Sequence, residues 1–435
     1  MQQVHLCTYK PDRKDMIAIV IPIFLVSFVI ACLFIQKIIY VSNKKHLFDE
    51  PLEDRKIHIQ KIPNLAGVAM FASVLLTTSI ITAITPIAQL NYIFASSIIL
   101  FSLGLTDDLV GVAPNKKILA QFGVALIIAM LAGLRFTSFY GILGLHSMPY
   151  AVSIILTTLF ILLIINAFNL IDGINCLAAG IGFLVCCTFA ICFWNMGQSG
   201  LMLLSTSVAG CLGGFICYNR TPAKIFMGDT GSLSLGFLIS LFAINFIELN
   251  KPDMVNGIPP AFKSAPAITF GLLIIPIFDS LRVFILRILA KKSPFSADRN
   301  HVHHRLLDLN FSHMQATAVL IAVNIVSIVI VFSFGFLGNE ILSILVCAFI
   351  IMLNIVSYQI LAKRNEIKAK EINTITSNNL RLRSSNPPEA EKQLVPWQNY
   401  PFDMEEADSH NIVDEYLLED MENVEESSNI KLTIN

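Results

Sequence analysis

About eleven apolar stretches recur along the first 361 residues, many close to the ~20 residues that a helix needs to cross hydrocarbon. They cover about 16–41, 65–86, 90–105, 118–134, 151–168, 175–193, 199–218, 232–248, 266–290, 315–336 and 339–361. This pattern predicts an all-α polytopic integral membrane protein. A membrane β-barrel would instead show ten-residue segments of alternating polarity, which are missing here. Composition agrees, at 55% hydrophobic and only 14% charged residues. The first stretch is too long for the apolar core of a secretory leader and no small-residue cleavage site follows it, so it is expected to remain as an anchor. The nine cysteines lie mostly inside apolar runs with no CxxC pair, and read as small buried apolar residues rather than a disulfide framework.

Charge sets an expected orientation. With loops numbered alternately from outside, the segments 42–64, 106–117, 169–174, 219–230 and 291–314 fall on one side and carry thirteen Lys or Arg; the other side carries six. Basic residues favour cytoplasmic loops. The N-terminus is therefore expected outside and the C-terminus in the cytoplasm. From about residue 362 the chain changes character: six Lys or Arg in 363–383, then a strongly acidic stretch over 403–426, with Pro387-Pro388 between them. Residues 1–361 are read as a transmembrane catalytic domain and 362–435 as a charged, mostly disordered cytoplasmic tail, with a short helix near 411–422 as an option.

Polar residues beside a bilayer are costly and usually functional, and four clusters of them lie on the expected cytoplasmic side. The first is Asp107-Asp108, directly after the third apolar run, with Lys116 and Lys117 following. Adjacent carboxylates repel, so such a pair suits a general base or a cation site; alone it also suits a solvated helix end. The second runs from Asn166 to Asn175. Asn169 and Asp172, three apart, would share a helix face, and offer a neutral and a charged oxygen to a hard cation; an ordinary Asx-Gly turn fits as well. The third, Phe226-Met-Gly-Asp-Thr-Gly-Ser232, opens the eighth run. Its glycines allow close backbone approach, the helix start favours anions, and Asp229 there suits a bridging Mg²⁺, with Phe226 able to stack on a base; simple N-capping is the alternative. The fourth spans Asp298 to Arg305 and holds His301, His303 and His304. Three histidines invite a zinc reading, but no HExxH is present and the basic neighbours oppose a cation, so the loop better suits a pyrophosphate or sugar hydroxyls. Asp279 and Arg282 in the ninth run read as an intramembrane ion pair.

In this order and on these helix ends, the four clusters resemble the polyprenyl-phosphate N-acetylhexosamine-1-phosphate transferases, the glycosyltransferase 4 superfamily, over about residues 45–310. The stretch from Pro294 to His304 looks like the bacterial undecaprenyl-phosphate GlcNAc-1-phosphate branch rather than the phospho-MurNAc-pentapeptide translocases. The resemblance implies a Mg²⁺-dependent enzyme, with Mn²⁺ as a substitute, that moves a sugar 1-phosphate from a UDP-N-acetylhexosamine to undecaprenyl phosphate in the bacterial inner membrane. It implies Asp107, Asp108, His301, His303 and His304 as catalytic residues. Lys117, Asp172, Asn175, Phe226 and Arg299 become substrate contacts, with Asn175 and Phe226 at the uracil, and Asn169 and Asp229 metal contacts. Position 64 is Asn and position 66 Ala, where relatives usually have Arg and Gly; position 175 is Asn, where many bacterial relatives have Asp. Expected partners are the UDP-sugar, undecaprenyl phosphate and membrane lipid, with no nucleic acid and a homodimer left open. Two other classes stay in view: a multi-helix transporter, whose ionisable residues would lie at the bilayer midplane, and a membrane zinc hydrolase.

Overall fold

A computed structural model describes residues 13–45, 62–144, 146–251, 261–291 and 301–385. Among these residues there is no strand, only an isolated bridge between Ser138 and Ser147. The helices are α1 (Arg13–Lys45), α2 (Ala66–Ile84), α3 (Leu90–Val110), α4 (Pro114–Leu126, continued by a π-helical turn Ile127–Leu131), α5 (Tyr150–Ile171), α6 (Leu177–Asn195), α7 (Ser199–Asn219), α8 (Gly228–Leu249), α9 (Ala265–Leu272), α10 (Ile274–Leu289), α11 (Val302–Asp308), α12 (His313–Ser333) and α13 (Asn339–Ser385). Ten described helices are long and apolar enough to cross a membrane. The all-α polytopic expectation holds.

Several boundaries differ from the sequence reading, among them α13, which runs on to Ser385, and two that bear on the polar residues. The run 266–290 is not one helix: it breaks at Leu273 into α9 and α10, neither of which is long enough alone. Pro276, at the start of α10, removes a backbone donor where a continuous helix would need one. The third run does not stop before the carboxylate pair. α3 extends to Val110, so Asp107 and Asp108 sit in its last turn. Beyond Arg364 the chain forms a second unit, whose described part is the end of α13 to Ser385; the acidic stretch lies outside the described residues.

The interior is built on α7 and α8. About three quarters of the apolar window of each is buried (78% and 72%), against 17% for α13 and 22% for α1. Lipid supplies no hydrophobic drive between helices, so close packing of small residues and interhelical hydrogen bonds must hold them. Both devices are present. Ser27 of α1 donates to the Ser207 carbonyl of α7 at 2.7 Å, and Ser73 of α2 donates to the Ser27 carbonyl at 2.8 Å. A methyl on Gly104 of α3 would lie 2.5 Å from the Thr230 Cα, and one on Gly67 of α2 would overlap the Gly231 nitrogen. α2 and α3 therefore meet the first turn of α8 backbone to backbone. The eight described cysteines are all free.

Candidate active site

The tight packing of α2 and α3 on the start of α8 brings distant polar residues together. Residues 63–67 pair with 226–227: Phe226 N donates to the Pro63 carbonyl (2.8 Å), Ala66 N to the Phe226 carbonyl (3.1 Å) and Gly67 N to the Met227 carbonyl (2.9 Å). Gly228 then turns the chain into α8 with φ +71°. A side chain there would overlap the Asn64 carbonyl and meet Asp108 Oδ2 at 2.7 Å, so only glycine fits.

The two carboxylates of α3 have different surroundings. Asp108 faces the N-terminus of α8. Its Oδ1 accepts from Asp229 N at 2.7 Å, and its Oδ2 from Thr230 N at 3.0 Å and Thr230 Oγ1 at 2.5 Å. The anion that the start of α8 attracts is thus a side chain of the protein itself, answering the orphan donors of a helix end. Asp107 accepts from Val112 N at 2.6 Å and pairs with Lys117. Lys117 also pairs with Asp229, so one ammonium bridges two carboxylates. Asn169 donates to Asp229 Oδ1 at 2.9 Å and to Ser232 Oγ at 3.0 Å.

The carboxylates of this cluster, with Asn169, line a cavity of about 380 Å³. Its wall holds Asp107, Asp108, Asn169, Asp172, Asn175, Phe226 and Asp229. Asn169 and Asp172 do share the cavity, as their spacing indicates. Asp172 is pushed well above the usual carboxylate range, first by burial and then by the charges of Asp229 and Asp108. Asn175 donates to Thr221 at 2.8 Å, and Phe226 is partly exposed at the rim. Asn166 points elsewhere, donating to Gln121 and the Leu162 carbonyl at 2.8 Å each. The cavity also uses Asn219, which the motif reading passed over. Its amide accepts from Cys176 N (2.6 Å) and donates to the Ile225 carbonyl (2.9 Å), tying the 174–176 turn to the 220–226 segment. A lone Asn closing an otherwise apolar run was the available signal. Asn64 lines the wall too.

The described part of the histidine cluster packs into the protein. His301 and His303 are buried, at 4% and 1% exposure. His301 Nδ1 lies 3.0 Å from Asp279 Oδ2. Asp279 also makes the expected pair with Arg282, at 3.0 Å. His303 reaches the cavity wall: a methyl on Gly173 would lie 2.6 Å from its Nε2. Burial, reinforced by His304, holds the His303 imidazole down at a pKa of about 4, so at neutral pH it is uncharged. The His303 and His304 ring centroids are 4.3 Å apart. Arg305 turns away to Asn354 of α13 at 2.9 Å. Arg299 lies outside the described residues.

No group of three or more His, Cys, Asp or Glu side chains among the described residues is arranged to hold a metal ion. The carboxylates of the cavity come from helix ends: Asp107 and Asp108 from the last turn of α3, Asp172 from the end of α5 and Asp229 from the start of α8.

Comparison with known proteins agrees with the geometry. The family model for glycosyl transferase family 4 matches residues 90–247, the span that holds Asp107, Asp108, Lys117, Asn169, Asp172 and Asp229. The "Probable undecaprenyl-phosphate N-acetylglucosaminyl 1-phosphate transferase" of Bacillus subtilis (strain 168) is 32% identical over 361 residues, covering 80% of this chain and 93% of that protein. The decaprenyl-phosphate N-acetylglucosaminephosphotransferase of Mycolicibacterium smegmatis is 30% identical over 294 residues (61% of this chain, 70% of that protein). The undecaprenyl-phosphate alpha-N-acetylglucosaminyl 1-phosphate transferase of Escherichia coli (strain K12) is 26% identical over 285 residues (64% and 74%). With a relative matched along nearly its whole length and a catalytic-type cavity inside the family region, the chain belongs to glycosyl transferase family 4.

Proposed function

We propose that this protein transfers N-acetylglucosamine 1-phosphate from UDP-N-acetylglucosamine to undecaprenyl phosphate, at the cytoplasmic face of a bacterial membrane. The products are UMP and a lipid-linked sugar diphosphate, the first membrane step of a cell-surface polysaccharide. The observation that carries this reading is the acidic cavity whose wall carboxylates Asp107 and Asp229 are bridged by Lys117. The names of the relatives carry the polyprenyl-phosphate acceptor and the N-acetylglucosaminyl 1-phosphate group, and the resemblance of the motifs adds UDP as its carrier.

In the reaction an oxygen of the lipid phosphate attacks the β-phosphorus of the donor. The bond from that phosphorus to the oxygen bridging the two phosphates breaks, and its electron pair leaves with UMP. Two anions must meet, so the site has to supply positive charge and alignment. Lys117 supplies charge at the cavity. The work on the lipid phosphate is assigned to Asp107, a reading supported by the three hydrogen bonds from α8 that Asp108 already accepts. Phe226 stacks on the uracil beside Asn175, with Asp172 a further donor contact. The neutral His303 packs behind the cavity wall at Gly173 and is assigned to the sugar-diphosphate end of the site.

The donor set fits Mg²⁺, with Mn²⁺ as a substitute. Asp229 and Asn169 offer hard oxygen ligands, and Mg²⁺ commonly takes one or two carboxylates plus substrate phosphates rather than an all-protein cage. When bound it neutralises the pyrophosphate and the leaving phosphate. The test is UMP release with undecaprenyl phosphate and a panel of UDP-sugars, with and without EDTA. Metal-dependent release with UDP-N-acetylglucosamine is expected. Release only with UDP-MurNAc-pentapeptide would move the assignment to that branch, full release in EDTA would remove the metal, and no release with any donor would end the reading.

A further inference from the structure

Helix α11, which carries the histidines, lacks the usual start. Its N-cap residue is His301, which makes no side-chain cap. The first backbone donor is instead met from another helix: Val302 N donates to Asp279 Oδ1 at 3.0 Å, across 23 positions of sequence. The second oxygen of the same carboxylate meets His301 Nδ1 at 3.0 Å. Arg282, one turn along α10, holds Oδ1 from the other side at 3.0 Å. Asp279 is 3% exposed. A buried carboxylate needs its lone pairs met, and here two of the donors that meet it belong to the histidine segment. The His301 ring in turn lies nearly parallel to that of His303, with centroids 5.5 Å apart and planes 10° from parallel. His303 rests on Gly173, next to Asp172 on the cavity wall. A chain of contacts thus runs from Asp279 through His301 and His303 to the cavity.

We propose that Asp279 is a positioning residue for the transfer reaction: by capping α11 and holding His301 at Nδ1, it sets His303 against Gly173 at the wall of the acidic cavity. This rests on the assigned reaction and adds a residue to it. Asp279 touches no substrate. Its effect passes through the histidines, as a carboxylate behind a functional imidazole fixes the ring and its tautomer. A misplacement of about 1 Å in such a group costs on the order of 10²-fold in rate.

The experiment is a double-mutant cycle in the full-length, detergent-purified protein, reading UMP release. Asp279→Asn is expected to lower kcat roughly 10- to 100-fold, the scale of such misplacement, with the KM for UDP-N-acetylglucosamine unchanged. Adding Asp279→Asn to His301→Ala is expected to cost less than Asp279→Asn costs the wild type, because the part of its effect that passes through His301 is already lost. Additive losses, or a change confined to KM, would overturn the proposal. Should Asp279→Asn fail to fold, His301→Asn decides: its amide N–H can still donate to Asp279, so it should retain more turnover than His301→Ala, and equal loss would count against the tie. A further readout needs no turnover. Diethyl pyrocarbonate should modify His303 slowly in the wild type and faster in folded Asp279→Asn, followed by peptide mass. Unchanged protection would overturn the positioning role even if the wild type released no UMP, whereas that absence of release would overturn only the assigned reaction.

Discussion

The two ends of α8 carry similar chemistry and use it differently. At its start, Asp229 meets Lys117 and Asn169 beside a cavity of about 380 Å³. At its end, roughly 30 Å away by the rise of an α-helix, Glu248 meets Lys251 at 2.9 Å and Thr137, whose backbone N–H and hydroxyl each donate at 2.8 Å. Lys251 also donates to the Thr137 hydroxyl at 2.6 Å. Each cluster has a carboxylate, a lysine and a neutral polar partner. The far cluster closes on itself and ties the segment after α4 to the end of α8. The near cluster leaves its groups facing open volume. Polar residues at the ends of membrane helices therefore divide into staples and sites by whether their partners leave room for a ligand.

The largest effect should come from the cavity end. Asp229→Asn is expected to lower kcat on the order of 10²–10⁴-fold, the usual scale for a positioned acid–base or electrostatic group. Near-normal UMP release would make this cluster a second staple. Next, Asp107→Asn and Asp108→Asn should separate. Asp107→Asn should lose turnover with little change in melting temperature. Asp108→Asn should lose both, since an amide answers the donors of α8 less well than a carboxylate, at about 1–3 kcal/mol for a charged hydrogen-bond acceptor. Matched thermal melts and rates would show whether the pair acts as one unit instead.

At the opposite end, Glu248→Gln should weaken the clasp by about 1–3 kcal/mol on the same grounds while kcat stays close to wild type. A large kcat loss in a well-folded variant would show that the far end communicates with the cavity. The smallest effect concerns pH. The folded-state pKa of Asp172 is raised by burial and by Asp229 and Asp108. A carboxyl with a raised folded pKa binds its proton more tightly when folded, so the stability it contributes is present at low pH and lost as pH rises out of the ordinary carboxylate range towards the folded value. Without added metal, Asp172→Asn should therefore gain stability relative to wild type as pH rises through that window. A difference that does not vary with pH would mean that Asp172 titrates normally.

Much of the near cluster was legible because it is local. Apolar run lengths gave the helices, and loop alternation put four polar groups on one side. The three-residue step from Asn169 to Asp172 put both on one cavity wall, and the step from Asp279 to Arg282 gave their ion pair. The contacts that define roles were not legible, because they join distant residues. Nothing near Asp108 announces that its oxygens will cap a helix 121 positions later. Nothing near His301 names Asp279 as its partner, and composition alone gave only a cationic loop with three histidines. The Glu248 clasp escaped notice for the same reason: its partner Thr137 lies 111 residues earlier in a short polar loop.

The tie between Asp108 and the first turn of α8 also has a consequence for biosynthesis. A membrane protein is inserted in sequence order, and α3 enters long before α8 has been translated. During that interval Asp108 has none of its three donors, Lys117 has only one of its two carboxylates, and the Gly67 and Gly104 surfaces have nothing to pack against. A nascent chain halted before Gly228 carries the aspartate pair with its acidity unshaped and its helix surfaces unmated. The arrival of α8 satisfies all of these groups at once, so the step that completes the acidic cluster also locks α2 and α3 together, before α10 and α11 bring the histidines.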